Sequence, residues 1–540
     1  MDRFFVSVIG GPPLETQPQQ QTSHVFSRRR FLQQSAAGGG IVICGPALFA
    51  LMGAHAVGAE GDKSLTWARG DDLRTQDPQE ISGLMEGTIS RLLYDPLIDT
   101  DENSQLVPCL ATDWTMADDG LSYTFILREG VTFHDGTPFD AESVKFTFDR
   151  LLGNPQLQHA AIWLETLEEL RIDDPLKVTM LLKAPNPGLM TSVPAISILA
   201  HNAVEQYGEA FYEKCIGTGP FTFVEWNKNQ HWIGAGNESY WNPDVVKLNR
   251  VTFRPITEEA TRVAALRNGE VDIIDSLSGE QAEELDGRDG VQIARTASTD
   301  TIHLTFNFTR APFDNVDARW AVAHAIDVQT IVNDILKSGQ AIGAPIPEGT
   351  IGYDAELVAA IPEYNPEKSR ELLAKAGVAE GTKIEFKLNP AWFAKLDQVA
   401  EFVAEQLREV GFDVDLQFVE PGAYTEARKS HSFDICVQQG NKGLNPDVNY
   451  TVLVVYGTFG LAYADARPDV VEMINQARTE LDEGLRGDLY QKIQREMYDD
   501  MAEFILYRQE YIWGVRPRVV GFVPRRDWQT RVFALDIQSS

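Results

Sequence analysis

Two different apolar rhythms follow one another between residues 365 and 418, and their order constrains the fold more than any other feature of the chain. Asn365 and Pro366 form a helix start, Leu372, Leu373 and Ala376 make its buried face, and Gly377 supplies the left-handed stop. Ile384, Phe386 and Leu388 then recur with the period of two that marks a half-buried strand. Val399, Phe402, Val403, Leu407 and Val410 share one face of a helix ending at Gly411, after which Phe412, Val414, Leu416 and Phe418 alternate again. Strand, helix and strand in this order make a crossover unit, so the chain builds a mixed α/β sheet.

A second stretch reads as clearly. Tyr123, Phe125 and Leu127 alternate with polar neighbours, Asp135-Gly136 supplies a turn, and Asp140 caps a helix carrying Val144, Phe148 and Leu151. At 540 residues the chain has room for more than one core, since domains run to roughly 100–200 residues. No internal repeat or low-complexity linker follows residue 60, so the domains are joined by short crossings. A net charge of −32 without a basic stripe argues against nucleic acid, whose phosphates need clustered Lys and Arg. The acidity reads as a solubility device, with attraction of a cationic ligand as the second reading. Cys44, Cys109, Cys215 and Cys436 are too few and scattered for a disulfide scaffold or metal knuckle, which leaves buried thiols or one disulfide.

The N-terminal region reads as a targeting segment. Ser27-Arg28-Arg29-Arg30-Phe31-Leu32-Gln33 precedes a stretch without Lys, Arg, Asp or Glu from Gln34 to Ala59, which ends in the small-residue sites Ala54-His55-Ala56 and Val57-Gly58-Ala59. Basic, apolar and small-residue parts in that order are the layout of an export signal. The arginine pair before Phe31-Leu32 resembles the twin-arginine motif, which implies bacterial export of folded cargo. Gly38-Gly39-Gly40 weighs against an uncleaved anchor, and Ile43 before Cys44 weighs against lipid modification. Removing residues 1–59 takes away Arg3, Arg28, Arg29, Arg30, Asp2 and Glu15, which moves the net charge from −32 to −34. No later apolar run approaches the roughly 18 residues that span a bilayer.

A series of short motifs then runs in order along the remaining chain. They are Asp77-Pro78, Leu93-Tyr94-Asp95-Pro96-Leu97, Leu121-Ser122-Tyr123-Thr124-Phe125 with Leu127-Arg128-Glu129-Gly130-Val131, and Phe133-His134-Asp135-Gly136-Thr137-Pro138. Gly217-Thr218-Gly219-Pro220-Phe221, Gly269-Glu270-Val271-Asp272-Ile273, Phe306-Asn307-Phe308, Arg319 with Ala325-Ile326-Asp327, and Tyr364-Asn365-Pro366 continue it. On these residues the chain resembles the family-5 bacterial extracellular solute-binding proteins, the oligopeptide, dipeptide, glutathione and nickel receptors of ABC importers. The resemblance implies an α/β, two-lobed periplasmic-binding-protein fold, a hinged clam with an additional inserted domain. The expected division is an export signal at 1–59, lobe one at 60–98, 205–305 and 511–540, an inserted domain at 99–204, and lobe two at 306–510. The Gly217-Thr218-Gly219 glycines are read as serving backbone geometry, since no Lys-Ser/Thr follows for a phosphate loop.

The resemblance also places a ligand between the lobes. In peptide-binding relatives an Asp of lobe two, four residues before a Pro, holds the ligand's α-ammonium. Counting back from Pro446 puts Lys442 at that place with Asn441 beside it, and no acid lies between Asp434 and Asp447. An ammonium facing Lys442 would be repelled, so with Lys442 in the cleft the ligand is expected to carry an anionic or hydroxyl-rich group, as in an opine, a sugar conjugate or an acidic peptide derivative, the alternative being a solvated Lys442. Gln438 and Gly440 are expected to offer backbone groups to an extended ligand. Leu84 and Met85, in Ser82-Gly83-Leu84-Met85, resemble a cleft-lining loop, the alternative being a plain helix start. Asn307 is a candidate to face the cleft near the hinge, and Trp392, just after a strand, is a candidate stacking wall for a sugar or aromatic moiety, the alternative being an ordinary core or surface tryptophan.

The competing class is a periplasmic enzyme exported folded by the twin-arginine route. Its signals are missing: H-E-x-x-H, G-x-S-x-G, G-x-G-x-x-G and cysteine clusters do not occur. A metal receptor is a third reading, needing soft or imidazole donors that converge in the cleft. No catalytic residue, metal ligand or cofactor is assigned. The expected partners are a small-molecule or peptide-like ligand and the permease subunits of an ABC importer, not nucleic acid, with the chain acting as a monomer in the periplasm.

Overall fold

Two long strands, Gln292–Phe306 and Glu503–Val515, run antiparallel through the middle of a ten-stranded sheet and organise the molecule. The computed structural model describes residues 63–538 except 81–83, 103–104, 155–156, 158–163, 391–393, 442–462 and 528. On one side of the long pair lie Ile435–Asn441, Thr382–Leu388 and, at the edge, Phe412–Phe418. On the other side lie Ile273–Ile274, Ser64–Arg69, Arg250–Pro255, His231–Gly236 and the edge strand Phe221–Asn227. The register of the long pair shifts between Ala297 and Thr301.

The shift coincides with a division of the core. Tyr511, Trp513 and Val515 pack with residues 65–253 and the C-terminal Val532, Leu535 and Ile537, while Ile302, Leu304, Phe306, Phe504, Leu506 and Tyr507 belong to a second core. Two lobes therefore share two continuous strands, and any bend between them must pass through residues near 297–301 and 508–510.

The strand–helix–strand unit forms as its periodicity predicts. Thr382–Leu388 and Phe412–Phe418 pair in parallel along their full length, and the connecting helix Leu396–Glu409 buries Val399, Val403 and Leu407. Asn365 caps the helix Pro366–Lys375 by accepting from the Lys368 amide, and Gly377 takes a φ of 73°. Phe418 departs from the expected alternation: it ends an edge strand and is 45% exposed, and among the described residues no strand pairs with its outer side.

Residues 111–182 form a separate antiparallel sheet in the order Ala111–Met116, Ser122–Leu127, Lys177–Leu182, Leu167–Asp174. The helix Ala141–Gly153 covers it, capped by Asp140, with Val144, Phe148 and Leu151 buried. This sheet is no independent bead: its core residues run without a break into those of the first lobe.

The Gly217-Thr218-Gly219 turn shows why that motif needs glycine at both ends. A Cβ on Gly217 would collide with the Leu93 carbonyl oxygen, and one on Gly219 would sit 2.5 Å from that of Leu92. His134 grips the same turn. Its amide donates to Gly217 O (2.8 Å), its Nδ1 accepts from Gly217 N–H (3.2 Å) and its Nε2–H donates to Gly219 O (3.0 Å). That pattern needs a neutral imidazole, and burial lowers its pKa accordingly. Asp95 accepts from Thr218 Oγ1, Tyr240 OH and Trp241 Nε1, each at 3.0 Å. Burial pushes its carboxyl up to about 6, against the lowering effect of these donors.

Candidate functional site

The parallel strands of both lobes end facing the register shift. Ser64–Arg69 runs parallel to Arg250–Pro255 and Ile273–Ile274, and Ile274 lies opposite Gly514, so their carboxyl ends point towards residue 510. In the other lobe Ile435–Asn441 runs parallel to Thr382–Leu388 and finishes opposite Asp300. In open α/β sheets the crevice outside the carboxyl ends of such strands is where ligands bind.

The residues picked out from the sequence follow those strand ends. Leu84 and Met85 open the helix Leu84–Leu93 after the first strand, and Asn441 ends Ile435–Asn441; the side chains of all three lie outside the described residues. Trp392, Lys442 and the export segment 1–59 also lie outside them. Gln438 and Gly440 are both buried. Parallel pairing with Thr382–Leu388 reaches only Ile435 and Cys436, so among the described residues the far edge of Gln438–Asn441 has no strand partner. An unpaired edge is where an extended ligand can add backbone hydrogen bonds.

Asn307 requires a correction. Its Nδ2 donates to His431 O and Phe433 O, both at 2.9 Å, and its Oδ1 accepts from Thr309 N (3.0 Å) and Thr309 Oγ1 (2.6 Å). Every polar atom of the side chain is engaged, so Asn307 braces two loops of the lobe and has no group left for a ligand.

Beneath the first lobe's strand ends is an ion pair, Arg69 Nε to Asp275 Oδ2 at 3.0 Å, with both side chains almost fully buried. Arg69 also donates to Thr88 Oγ1 (3.1 Å) and Asp275 accepts from Gly70 N (3.3 Å). Burial raises the Asp275 carboxyl and Arg69 opposes the rise. This pair fixes the floor on which the following loops stand.

Across the shift the polar groups are less well matched. Gly440, Thr301 and Arg508 lie abreast on three adjacent strands, and Gln438 and His303 pair two residues further along on the same face. Thr301 Oγ1 donates to Gly440 O at 3.2 Å, and His303 Nε2 lies 3.3 Å from Glu503. Gln438, 1% exposed, has neither amide atom hydrogen-bonded among the described residues. Arg508, 8% exposed, donates from Nη2 to Pro345 O at 3.2 Å while its Nε has no acceptor. Sequence reasoning missed Arg508, although a lone cation after Phe504-Ile505-Leu506-Tyr507 was the available signal.

Cys109, Cys215 and Cys436 are buried free thiols, and burial raises all three pKa values. Among the described residues no three His, Cys, Asp or Glu converge as a metal site, and no helix is long and apolar enough to cross a membrane.

Known proteins share this architecture. A glutathione-binding protein GsiB of Escherichia coli O6:K15:H31 is 30% identical over 387 residues, 71% of this chain and 74% of that protein. The Helicobacter pylori periplasmic binding protein DppA, solved with the peptide STSA, superposes with a TM-score of 0.77 at 24% identity, covering 88% of this chain and 98% of DppA. AgaA from A. tumefaciens R10, solved with agropinic acid, gives 0.75 at 22% identity over 88% of this chain and 99% of AgaA. The family model of bacterial extracellular solute-binding proteins, family 5, middle part, matches residues 105–460. The chain therefore belongs to the family-5 bacterial extracellular solute-binding proteins of ABC importers.

Proposed function

We propose that the chain is exported through its Arg28-Arg29 signal, acts as a monomer in the periplasm, and closes its two lobes over one solute for delivery to permease subunits. The observation that carries this reading is the pair of lobe-sharing strands, whose register shift lies between two facing sets of strand ends. A hinge of this kind closes only as far as the ligand prefers the closed form. The solute is a peptide-like compound, a modified amino acid or a sugar conjugate. Relatives and structural neighbours named for glutathione, a tetrapeptide and agropinic acid support that range. Lys442, where peptide-binding relatives carry an Asp, favours a ligand without a free peptide N-terminus. Leu84, Met85, Trp392, Gln438, Gly440, Asn441 and Lys442 are the proposed contacts.

The test is a metabolite screen on the mature chain, read by thermal melting and tryptophan fluorescence with product analysis alongside. One solute should raise the melting temperature without being consumed. Steady product formation would move the chain to the enzyme class.

A further inference from the structure

We propose that Arg508 anchors a carboxylate of the captured solute, with the Gln438 amide, on the same sheet face, as a second polar group; this rests on the receptor reading. Arg508 belongs to the strand Glu503–Val515 at the point where it passes between the lobes, opposite Thr301. Its guanidinium is buried, yet its only hydrogen bond among the described residues goes to one backbone carbonyl, Pro345 O. A buried cation is ordinarily neutralised by a carboxylate, because desolvation costs more than a single carbonyl restores.

The surroundings make the imbalance larger. Burial lowers the pKa of Arg508, and the cation Arg526 adds to that lowering. Arg526 donates to Glu348 O at 3.3 Å. It sits on the C-terminal segment whose Val532 and Leu535 pack in the first core, and both guanidinia donate to the loop 345–348. On the sheet face of Arg508, Gly440 adds no side chain and the Gln438 amide has neither its donor nor its acceptor atoms engaged among the described residues. An oxyanion at this place would neutralise the positive charge, and its planar form suits the guanidinium fork.

The experiment has two arms. In the first, ligand-free Arg508→Met is unfolded in urea beside the wild type. If Arg508 is held for a ligand, removing a lone buried cation raises the midpoint. A lower midpoint, or failure to fold, makes it a structural brace and overturns the proposal. In the second arm, calorimetry compares reduced glutathione and agropinic acid with their methyl esters. The wild type should prefer a free acid over its ester by about 30-fold or more, and Arg508→Met should lose that preference. Arg508→Lys, which keeps the charge without the fork, should bind the acid about tenfold more weakly than the wild type. An ester bound as tightly as its acid, or a preference retained by Arg508→Met, would also overturn the proposal. If the wild type binds none of these probes, the proposed solute range is wrong, and the urea arm alone then decides the role of Arg508.

Discussion

The buried polar groups around the Gly217-Thr218-Gly219 turn and those at the register shift are built on opposite plans. Around the Gly217-Thr218-Gly219 turn, Asp95, His134, Thr218, Tyr240 and Trp241 hydrogen-bond one another or the backbone. On the sheet face at the register shift, among the described residues, Gln438 has no hydrogen bond from either amide atom and Arg508 has no carboxylate. Burial is similar in both, so the difference is one of satisfaction. Buried polar groups are nearly always paired in folded proteins, and an unpaired one destabilises unless something else completes it. The first cluster is complete within the chain and serves the fold; the second has the composition of a site awaiting a partner.

The largest test of this contrast is Gly217→Ala. The added Cβ meets the Leu93 carbonyl, a backbone atom at the end of a buried helix that cannot rotate away. The expected loss is about 4 kcal/mol or more, read from the urea midpoint, which places it among the severe substitutions. A loss below about 1 kcal/mol would mean that the turn is not the rigid element described here.

A smaller effect comes from pH. Burial raises the folded pKa of Asp95 to about 6 from the ordinary 3.8, so the folded state holds its proton more tightly. Stability from this group is therefore present below about pH 4 and is lost as pH rises through about 6, by about 3 kcal/mol in all. His134 acts in the opposite sense. Its pKa is lowered, so its contribution is present above 6.5 and is lost as pH falls below that value. Urea midpoints of wild type and Asp95→Asn between pH 4 and 7 separate the two. The wild type should lose about 3 kcal/mol relative to the variant across that range, and parallel curves would show that Asp95 titrates normally.

How much of this was legible in the sequence follows from how local each feature is. The crossover unit was readable because Ile384, Phe386 and Leu388 and the face Val399–Val403–Leu407 carry their burial in their own spacing. The exposure of Phe418 was not, because being at a sheet edge depends on which strand lies beside it. Asn307 was misread because its partners at 431 and 433 are more than a hundred residues away in the chain. Gln438 was singled out by resemblance for its backbone, whereas the structure draws attention to its side chain. Arg508 left only the faint mark of one cation in an apolar strand, since its lack of a counter-ion emerges only when distant segments meet.

The finest test of the contrast is Gln438→Leu. Leucine is close in volume to glutamine and removes a buried amide that has no partner among the described residues, so no hydrogen bond is lost. The expected change in the ligand-free protein is within about 1 kcal/mol, and towards greater stability if it departs from zero. Asp95→Leu, the matching change in the satisfied cluster, strands the Thr218, Tyr240 and Trp241 donors and should cost several times more. Solute binding should respond the other way round. Gln438→Leu weakens it by about tenfold, the value of one buried hydrogen bond, while Asp95→Leu leaves the affinity of the folded fraction unchanged. If Gln438→Leu proved as destabilising as Asp95→Leu, the amide would be part of the fold, and the two clusters would differ only in appearance.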